Sequence, residues 1–479
     1  MWRLGSTEIL RPVTLLMGVG WLILVFSKST IPADSGDGIQ HFFYAQASWK
    51  EPAFFLHHWG KPFFILLSSP FAQLGFSGMV VFNILCYSLT VLVGYRIMER
   101  FKVDRVLQAL FPLLLVITKD YSTTVLGGMT EVLFNLSIVV GALLFLRQKY
   151  LLFAVLVSFM PYMRGEGQLP LLIALVILIY VRQWRFIPFL LTGHLLYLLP
   201  GELVHGQFLW YFKKDPYAMK TGFYGSGNWN HYLLSYKNYI DNAGLIVVFL
   251  GTLALWIRWK IIVKQRELLL LGVYSYTIFL GILFVHSYFW ATGTYASMGL
   301  TRLATQGMPL FLLVNLILIS GFSIERINWI RLLSAGMSVG IVITLMMSKK
   351  FPIQPTDLEQ LVITAAHSGS MEGSAGSRYF HFHPLLAFEQ GDNPVLMNSR
   401  AVFFQSVDIE REKGQVFKPG DLIVWDSHFG PAEMNLPLSA LESDTTRIQK
   451  LEEFNTSDLI SSSGKEPGKV IIFRIRDQR

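Results

Sequence analysis

Charged side chains are scarce in this sequence, and the scarcity excludes most soluble folds. Asp, Glu, Lys and Arg make up only 15% of the 479 residues, whereas 52% are hydrophobic. A soluble domain carries about 25% charged residues because its surface must be hydrated. The mean hydropathy of +0.45 agrees with this deficit. The composition therefore indicates a polytopic membrane protein.

Cysteine is also nearly absent. Cys86 is the single one, and it lies in an apolar stretch, which excludes a disulfide framework and a cysteine-based metal site. The G-x-G-x-x-G and Walker patterns that bind nucleotide phosphates are missing as well. The sequence therefore predicts no organic cofactor, and it leaves a divalent metal ion open.

Long apolar segments are what the sequence has in abundance. A window of about 19 residues finds eleven candidate spans, which lie near 11–27, 78–98, 103–118, 125–146, 150–163, 168–182, 186–200, 243–259, 267–286, 304–321 and 329–347. A further apolar run near 62–76 predicts a re-entrant or interfacial helix. The sequence thus predicts about eleven transmembrane helices.

Basic residues in short loops predict the orientation of these spans. With a cytoplasmic N-terminus, sixteen Lys and Arg residues fall in short inner segments and about ten in much longer outer loops. The net charge of +8 then lies mainly beside anionic lipid on the inner side, so nucleic acid is not an expected partner. We expect an integral protein of a bacterial inner membrane, with an extracytoplasmic C-terminal domain.

The composition changes after the last span, and short apolar stretches replace long ones. Three stretches, 378–386, 421–425 and 469–475, predict strands, and 437–454 has a helical pattern. The Ser- and Gly-rich segment 368–377 predicts a loop. These features indicate one small α/β domain.

The predicted fold class is an all-α polytopic membrane domain followed by a small extracytoplasmic α/β domain. The membrane domain is expected over residues 1–347, with outer loops at 28–77 and 201–242. The α/β domain is expected over 348–479.

Ionisable residues at the ends of spans are the most informative ones, because each is costly there. Those at predicted outer ends or in the first outer loop are Asp34, Asp37, Lys61, Glu131, Arg164, Glu166 and Arg302. Cations at headgroup depth suit a phosphate-bearing lipid, and a carboxylate remains for acid–base chemistry. The cluster therefore predicts a substrate cavity at the outer face, with His58 and Tyr44 also lining it.

Five of these residues also have a structural interpretation. Arg164 and Arg302 fit interfacial side chains that extend toward the headgroups, and Lys61 fits an interfacial anchor. Glu131 fits a helix cap, because acids favour helix N-termini. Asp34 fits a turn residue, because D-S-G-D-G is rich in turn formers.

Two histidine pairs, His57–His58 and His381-x-His383, suggest metal ligands only weakly. Adjacent histidines in a loop rarely bind one ion. The second pair lies on a predicted strand without a nearby pair of carboxylates. No metal site is predicted at either pair.

The first outer loop contains IPADSGDGIQHFFYAQA, and G-K-P-F follows with its lysine about 24 residues after Asp37. Together with MTEVLFNL and the R-G-E-G segment, this layout resembles the membrane-embedded glycosyltransferases of the C superfamily (GT-C). It is most similar to the branch of the protein O-mannosyltransferases and the lipid A aminoarabinose transferases. The resemblance covers roughly residues 10–320 in layout.

The resemblance implies a polyprenyl-phosphate monosaccharide as donor and an inverting transfer to an acceptor hydroxyl. Asp37 matches the first-loop Asp that accepts the proton of the acceptor. Lys61 matches the lysine that contacts the donor phosphate, and Arg302 more loosely matches a second phosphate-binding cation. Arg164 resembles the Arg after the fifth span, which shapes the cavity.

The sequence departs from the family pattern at two positions. Gly38 stands where many members have a second acid, and Phe63 stands where a second proline often follows the lysine. These departures bear on the acceptor, which is left open as a lipid, a glycan or a protein.

Two other function classes compete with the enzyme. A transporter or flippase for a lipid-linked sugar has ionisable residues near the bilayer midplane, whereas here they gather at the outer ends of the spans. A non-catalytic assembly component would rely on the C-terminal domain and leaves the outer cluster unexplained. The glycosyltransferase is the function that the sequence favours.

Overall fold

A computed structural model describes residues 6–213, 215, 224–321, 327–348, 351–374, 376–403, 417–432, 436–456 and 468–477. The chain divides into two compact units. The membrane unit consists of Met1–Ser29 and Phe55–Pro352. The sheet unit consists of Thr30–Phe54 and Ile353–Arg479, so a piece of the first predicted outer loop belongs with the C-terminal residues.

Helices α1 to α17 precede the C-terminal part of the chain, and all of them except α2 lie in the membrane unit. They are α1 (Ser6–Lys28), α2 (Asp37–Ala47), α3 (Pro62–Ala72), α4 (Phe76–Arg100), α5 (Arg105–Ile117), α6 (Lys119–Leu126), α7 (Thr130–Leu146), α8 (Tyr150–Phe159), α9 (Gln168–Tyr180), α10 (Thr192–His205), α11 (Trp210–Lys213), α12 (His231–Leu234), α13 (Tyr236–Tyr239), α14 (Asp241–Ile262), α15 (Arg266–Thr292), α16 (Met308–Ser320) and α17 (Ile327–Met347). Each of the eleven predicted apolar segments coincides with helical structure. A 3-10 stretch, Trp184–Leu191, leads into α10.

Among the residues that the structure describes, five helical stretches are long and apolar enough to cross a membrane alone: Ile9–Lys28, Phe76–Arg100, Trp184–His205, Asp241–Ile262 and Arg266–Thr292. Helices α5 and α6 meet at a 74° bend and form a sixth such span if they count as one. The other apolar helices have 10–17 residues. The predicted helical membrane domain is confirmed, and roughly half of its predicted spans are shorter than a full crossing.

Exposure separates the centre of the membrane unit from its lipid-facing surface. Helix α16 buries every residue from Met308 to Ile319, as expected of a helix that is apolar all round. Helix α14 instead exposes large apolar side chains, including Phe249, Trp256 and Ile257. Such a surface is stable against lipid and unfavourable in water. The protein is therefore an integral membrane protein.

In the described part of the sheet unit, five strands form a sheet with the order β2-β1-β3-β5-β4. Its elements are α18 (Asp357–Ala366), α19 (Gly369–Glu372), β1 (Tyr379–His381), α20 (Pro384–Glu389), β2 (Ala401–Phe403), β3 (Leu422–Asp426), α21 (Phe429–Ala432), α22 (Leu438–Ser443), β4 (Ile448–Asn455) and β5 (Lys469–Ile475). Strands β1, β2 and β3 are parallel, and β5 pairs antiparallel with β3 and β4. The predicted α/β character is confirmed, and the predicted strands 421–425 and 469–475 coincide with β3 and β5. Within 378–386 only Tyr379–His381 is a strand, because α20 begins at Pro384.

Two local predictions in this unit were wrong. Segment 437–454 is not one helix, because α22 ends at Ser443 and β4 begins at Ile448. Pairing with β5 outweighs the helix propensity of its Leu, Lys and Glu residues. The predicted loop 368–377 contains the short helix α19, which the Ser368 side chain caps by accepting a hydrogen bond from the Met371 amide.

Candidate functional site

Glu131 is the centre of a buried ion-pair cluster in the membrane unit. Its side chain is fully buried at the start of α7. Arg164 Nη1 lies 2.9 Å from Glu131 Oε1, and Arg302 Nε lies 3.9 Å from the same oxygen. A buried carboxylate requires such partners to remain charged. Three predicted site residues from distant parts of the sequence are thus brought together.

A second carboxylate, Glu166, completes the cluster. Arg164 contacts it through two nitrogens, with Nε at 3.2 Å from Oε2 and Nη2 at 3.1 Å from Oε1. His286 Nε2 lies 3.1 Å from Oε1, and Gln306 Nε2 donates to it at 2.9 Å. Burial alone would raise the pKa of Glu166, but Arg164 and His286 outweigh it and hold that pKa well below its usual value. Glu166 is therefore an anion that holds Arg164 in place.

The R-G-E-G turn places Arg164 between the two carboxylates. The Arg164 amide donates to Met160 O at 3.0 Å, and a 3-10 turn then spans Gly165–Gly167. A Cβ at Gly167 would lie 2.3 Å from Met160 O, so glycine is required there. The Arg164 guanidinium also donates to Thr130 Oγ1 at 2.8 Å, beside Glu131.

Asn135 fixes the segment that carries Arg302. It lies one turn after Glu131 on α7, so both side chains share one helix face. Asn135 Nδ2 donates to Thr305 O at 3.1 Å, and Asn135 Oδ1 accepts from the Gly307 amide at 2.7 Å. Gly307 has a φ of 76°, which favours glycine. Helix α7 thus positions Glu131 and, through Asn135, the chain around Arg302.

Lys61 is a buried cation with an unusual backbone conformation. It precedes α3 with a φ of 65° and is only 7% exposed. Burial and the charge of Arg164 lower the pKa of Lys61 to about 8, while Glu166 and Asp215 oppose that shift. Strained backbone at a charged residue is frequent at functional sites. The side chain lies near enough to Arg164 and Glu166 to belong to the same electrostatic cluster.

Asp215 adds a third carboxylate near Lys61. The Tyr295 hydroxyl donates a hydrogen bond to Asp215 Oδ2. The charge of Asp215 opposes the downward shifts in the pKa of Lys61 and in that of His58. Asp215 therefore lies close enough to Lys61 and His58 to interact with both electrostatically.

His58 packs against the aromatic side chain of Tyr211 rather than against the ion-pair cluster. Its Nε2 donates to Tyr211 O at 2.8 Å, and its ring stacks on the Tyr211 ring at 4.3 Å. Tyr211 in turn donates to Pro161 O, next to the R-G-E-G turn. Burial and the charge of Lys61 lower the pKa of His58 to about 4, so the ring is neutral at pH 7.

The remaining predicted site residues belong to the sheet unit. Asp37 is the first residue of α2, and Asp34 Oδ1 accepts a hydrogen bond from the Gly38 amide at 2.8 Å. Asp34 therefore has the structural role of a turn residue that begins the helix. Tyr44 lies against Phe54, with ring centroids 5.5 Å apart, and burial raises its pKa to about 12. Asp37 is thus a carboxylate at a helix N-terminus in a unit separate from that of Lys61.

Metal ligation has no geometric support in the described part of the chain. Among those residues, no group of three or more His, Cys, Asp or Glu side chains lies where it could hold a metal ion. His381 and His383 lie in the sheet unit, where His383 Nδ1 accepts from the Leu385 amide and caps α20. Burial lowers the pKa of His383 to about 3, which is typical of a neutral core histidine.

Four polar residues in or near this cluster were not predicted from the sequence. They are Asn135, Asp215, His286 and Gln306. His286 had a usable signal, because it is an ionisable residue inside the long apolar helix α15. Gln306 had none, because its partner Glu166 is 140 residues away in the sequence.

Comparison with solved structures shows that the fold is similar to that of a membrane glycosyltransferase of the GT-C class. That enzyme is ArnT, a lipid A aminoarabinose transferase, from Cupriavidus metallidurans. The crystal structure of ArnT bound to undecaprenyl phosphate aligns with a TM-score of 0.57 over 95% of this chain and 97% of that chain, at 11% identity. The apo structure gives 0.52 over the same shares, at 10% identity. The fold implied by the sequence resemblance is confirmed.

Sequence comparisons add nothing to this result. No family model matches the chain, and no curated protein matches it. At 10–11% identity the two ArnT structures establish the fold alone. A shared fold does not determine the chemistry, which depends on the residues of this chain.

Proposed function

We propose that the protein is an integral-membrane glycosyltransferase that uses a polyprenyl-phosphate sugar as donor. The observation that carries the proposal is the buried cluster of Lys61, Arg164 and Arg302 around Glu131 and Glu166. Three cations held in fixed positions suit an anionic phosphate. One crystal structure with a similar fold is that of ArnT bound to undecaprenyl phosphate, which is a polyprenyl phosphate.

The proposed transfer is an inverting displacement at the anomeric carbon. The acceptor oxygen forms a bond to that carbon as the bond to the phosphate oxygen breaks, and the electron pair leaves with the polyprenyl phosphate. Asp37 takes the proton from the acceptor hydroxyl. Lys61 and Arg302 stabilise the negative charge on the leaving phosphate. Because phosphate is already a good leaving group, this mechanism requires no strong general acid.

The carboxylates of the cluster have a positioning role in this proposal. Glu131 and Glu166 both contact Arg164, and Glu131 also faces Arg302. They keep the cations in one geometry before the donor arrives, which is the preorganisation that electrostatic catalysis requires. His286 of α15 and Gln306, which precedes α16, both contact Glu166 Oε1 and hold it in place.

We further propose that the reaction takes place at the outer, periplasmic face of a bacterial inner membrane. The excess of basic residues in short inner loops supports a cytoplasmic N-terminus. With that orientation, the residues of the ion-pair cluster are expected at the outer ends of the spans. The acceptor hydroxyl belongs to a lipid, a glycan or a protein. A flippase for a lipid-linked sugar is the competing function, and it requires no cleavage of the anomeric bond.

Lys61→Ala tests the donor site. We expect the affinity for undecaprenyl phosphate to fall about 10- to 100-fold, because a charge-assisted contact contributes about 1.5–3 kcal/mol. Binding to the purified protein in nanodiscs measures this change. Lys237→Ala, which removes a lysine from the short helix α13, serves as the control. Unchanged affinity in Lys61→Ala would contradict the phosphate role.

Donor binding should also depend on pH through Lys61. Its pKa of about 8 means that the charged fraction falls about tenfold between pH 7 and pH 9. If only charged Lys61 binds the phosphate, affinity for undecaprenyl phosphate weakens by about that factor as the pH rises. Lys61→Arg should flatten the profile, because arginine stays charged. A wild-type profile that is flat from pH 7 to pH 9 would refute this assignment.

A further inference from the structure

We propose that the sheet unit serves the acceptor step, because it holds the helix that presents Asp37, and that Asn393 is the positioning residue. This inference rests on the proposed function, in which Asp37 receives the acceptor proton. It assigns a role to the C-terminal residues, which neither the fold comparison nor the donor site explains.

Helix α2 is an integral part of the sheet unit rather than a free loop. Seven of its eleven residues are buried, including Ile39, Phe42 and Phe43, whereas Asp37, Gln40 and Tyr44 are partly exposed along one side. The Phe42 ring lies edge-on to Phe388 of α20, with centroids 6.2 Å apart and planes at 80°. Apolar contact of this kind fixes which face of the helix is covered and therefore which side is left for Asp37.

Asn393 uses its side-chain amide to hold α2. Its Nδ2 donates to Phe43 O at 3.1 Å and to Gln46 Oε1 at 3.0 Å. Its Oδ1 accepts from the Val395 amide at 3.2 Å, and the residue is only 8% exposed. Both N–H donors and the carbonyl are thus engaged, so the side chain cannot rotate without losing a bond. Asn393 links the helix directly to the segment after α20.

Further contacts attach the chain on both sides of α2. Ahead of it, the Thr30 amide donates to Ile353 O at 3.3 Å, and Ser35 is hydrogen-bonded to Glu359 of α18. After it, the Met397 amide donates to Glu51 Oε1 at 3.0 Å. Asp37 therefore lies between two points that are attached to residues 353–397. Its position within the sheet unit is determined by this framework.

The two proposed chemical roles consequently belong to different units. Lys61, Arg164 and Arg302, which serve the donor phosphate, are all in the membrane unit, whereas Asp37 is in the sheet unit. A change at Asn393 should therefore affect proton transfer from the acceptor and leave donor binding intact. A displacement of about 1 Å at a catalytic group can cost on the order of 100-fold in rate.

The test compares Asn393→Ala with Asp37→Asn in the full-length protein in nanodiscs. We expect Asn393→Ala to lower kcat about 10- to 100-fold with unchanged affinity for undecaprenyl phosphate. Adding it to Asp37→Asn should cost nothing more, because both act on the same proton transfer. Ser370→Ala removes a hydrogen bond to Glu452 within the same unit, away from α2, and should leave kcat unchanged.

Amide hydrogen exchange gives a readout that does not depend on activity. Asn393→Ala should speed exchange in residues 37–47 by at least tenfold and leave residues 62–72 unchanged. Normal kcat or unchanged exchange in Asn393→Ala would overturn the inference, as would an equal loss of donor affinity. Full activity in Asp37→Asn would instead refute the assignment of the base in the proposed function. The two failures are therefore distinguishable.

Discussion

Asp37→Asn should lower the rate of sugar transfer by a factor of about 10² to 10⁴, the usual contribution of a positioned general base. Asparagine keeps the size of the side chain but cannot accept the acceptor proton. Affinity for undecaprenyl phosphate should stay at the wild-type value, because the proposed phosphate ligands are Lys61 and Arg302. Transfer is measured with purified protein, a polyprenyl-phosphate sugar and an envelope extract as the source of acceptor.

Glu51→Gln is the matched control for this prediction. Glu51 is another carboxylate of the first loop, and its Oε1 accepts a hydrogen bond from the Met397 amide, which glutamine can also accept. The same change from carboxylate to amide should therefore leave transfer unchanged at this position. Wild-type activity in Asp37→Asn would show that Asp37 is not the base.

Arg164→Met should produce the largest loss of stability, about 3–5 kcal/mol in the free energy of unfolding. Arg164 is the direct partner of both buried carboxylates, at 2.9 Å from Glu131 and 3.1 Å from Glu166. Its removal leaves two anions close together with fewer cations around them. The difference is measured by titrating the protein in mild detergent micelles with a denaturing detergent and following its unfolding.

The loss in Arg164→Met should depend on pH in a defined direction. Glu166 has a folded-state pKa well below that of the unfolded chain, because Arg164 and His286 together outweigh its burial. Its stabilising contribution is present above the unfolded pKa and is lost as the pH falls through the folded pKa. The difference between wild type and variant should therefore be largest near pH 7 and shrink in acid.

Arg100→Met provides the comparison for an exposed pair. Arg100 makes two hydrogen bonds to Glu267, at 2.8 and 2.6 Å, but both side chains are more than a third exposed. Exposed pairs contribute about 0–1 kcal/mol, so this variant should be nearly as stable as wild type. Equal losses in the two variants would contradict the importance of burial at Arg164.

The helical part of the fold could be predicted because apolar runs have few alternatives in a membrane. All eleven predicted segments coincide with helical structure, from Ser6 in α1 to Met347 in α17. Their lengths were less predictable. The α5–α6 pair shows why: the predicted span 103–118 ends at Thr118, which is extended, but the chain continues through a 74° bend into α6, whose polar sequence gives no apolar signal. Periodicity detects helices, whereas breaks depend on packing.

The candidate site was predictable in part, because burying a charge in a membrane is costly. Glu131, Arg164 and Arg302 are each ionisable residues at the end of a predicted span, and the structure brings them into contact. Gln306 and Asn135 are uncharged and give no such signal. Their roles follow from hydrogen bonds to Glu166 and Gly307, which are distant in the sequence.

The assignment of the first loop to the sheet unit had no sequence signal either. The bond from Asn393 to Phe43 O joins residues 350 positions apart, and neither residue type is diagnostic of such a contact. The error at 437–454 has the same origin. Strand β4 forms because β5 pairs with it, and that partner begins only at Lys469. Contacts between distant segments decide both cases.

The most direct test of the central proposal is a cleavage assay with intact lipid-linked sugars. Purified protein in nanodiscs is incubated with a panel of undecaprenyl-phosphate sugars and envelope extract, and free undecaprenyl phosphate and the glycosylated acceptor are measured. A glycosyltransferase releases undecaprenyl phosphate and labels an acceptor in equal amounts, and Asp37→Asn does neither. Movement of intact lipid-linked sugars across proteoliposomes, without cleavage of any donor in the panel, would contradict the proposal and identify a flippase.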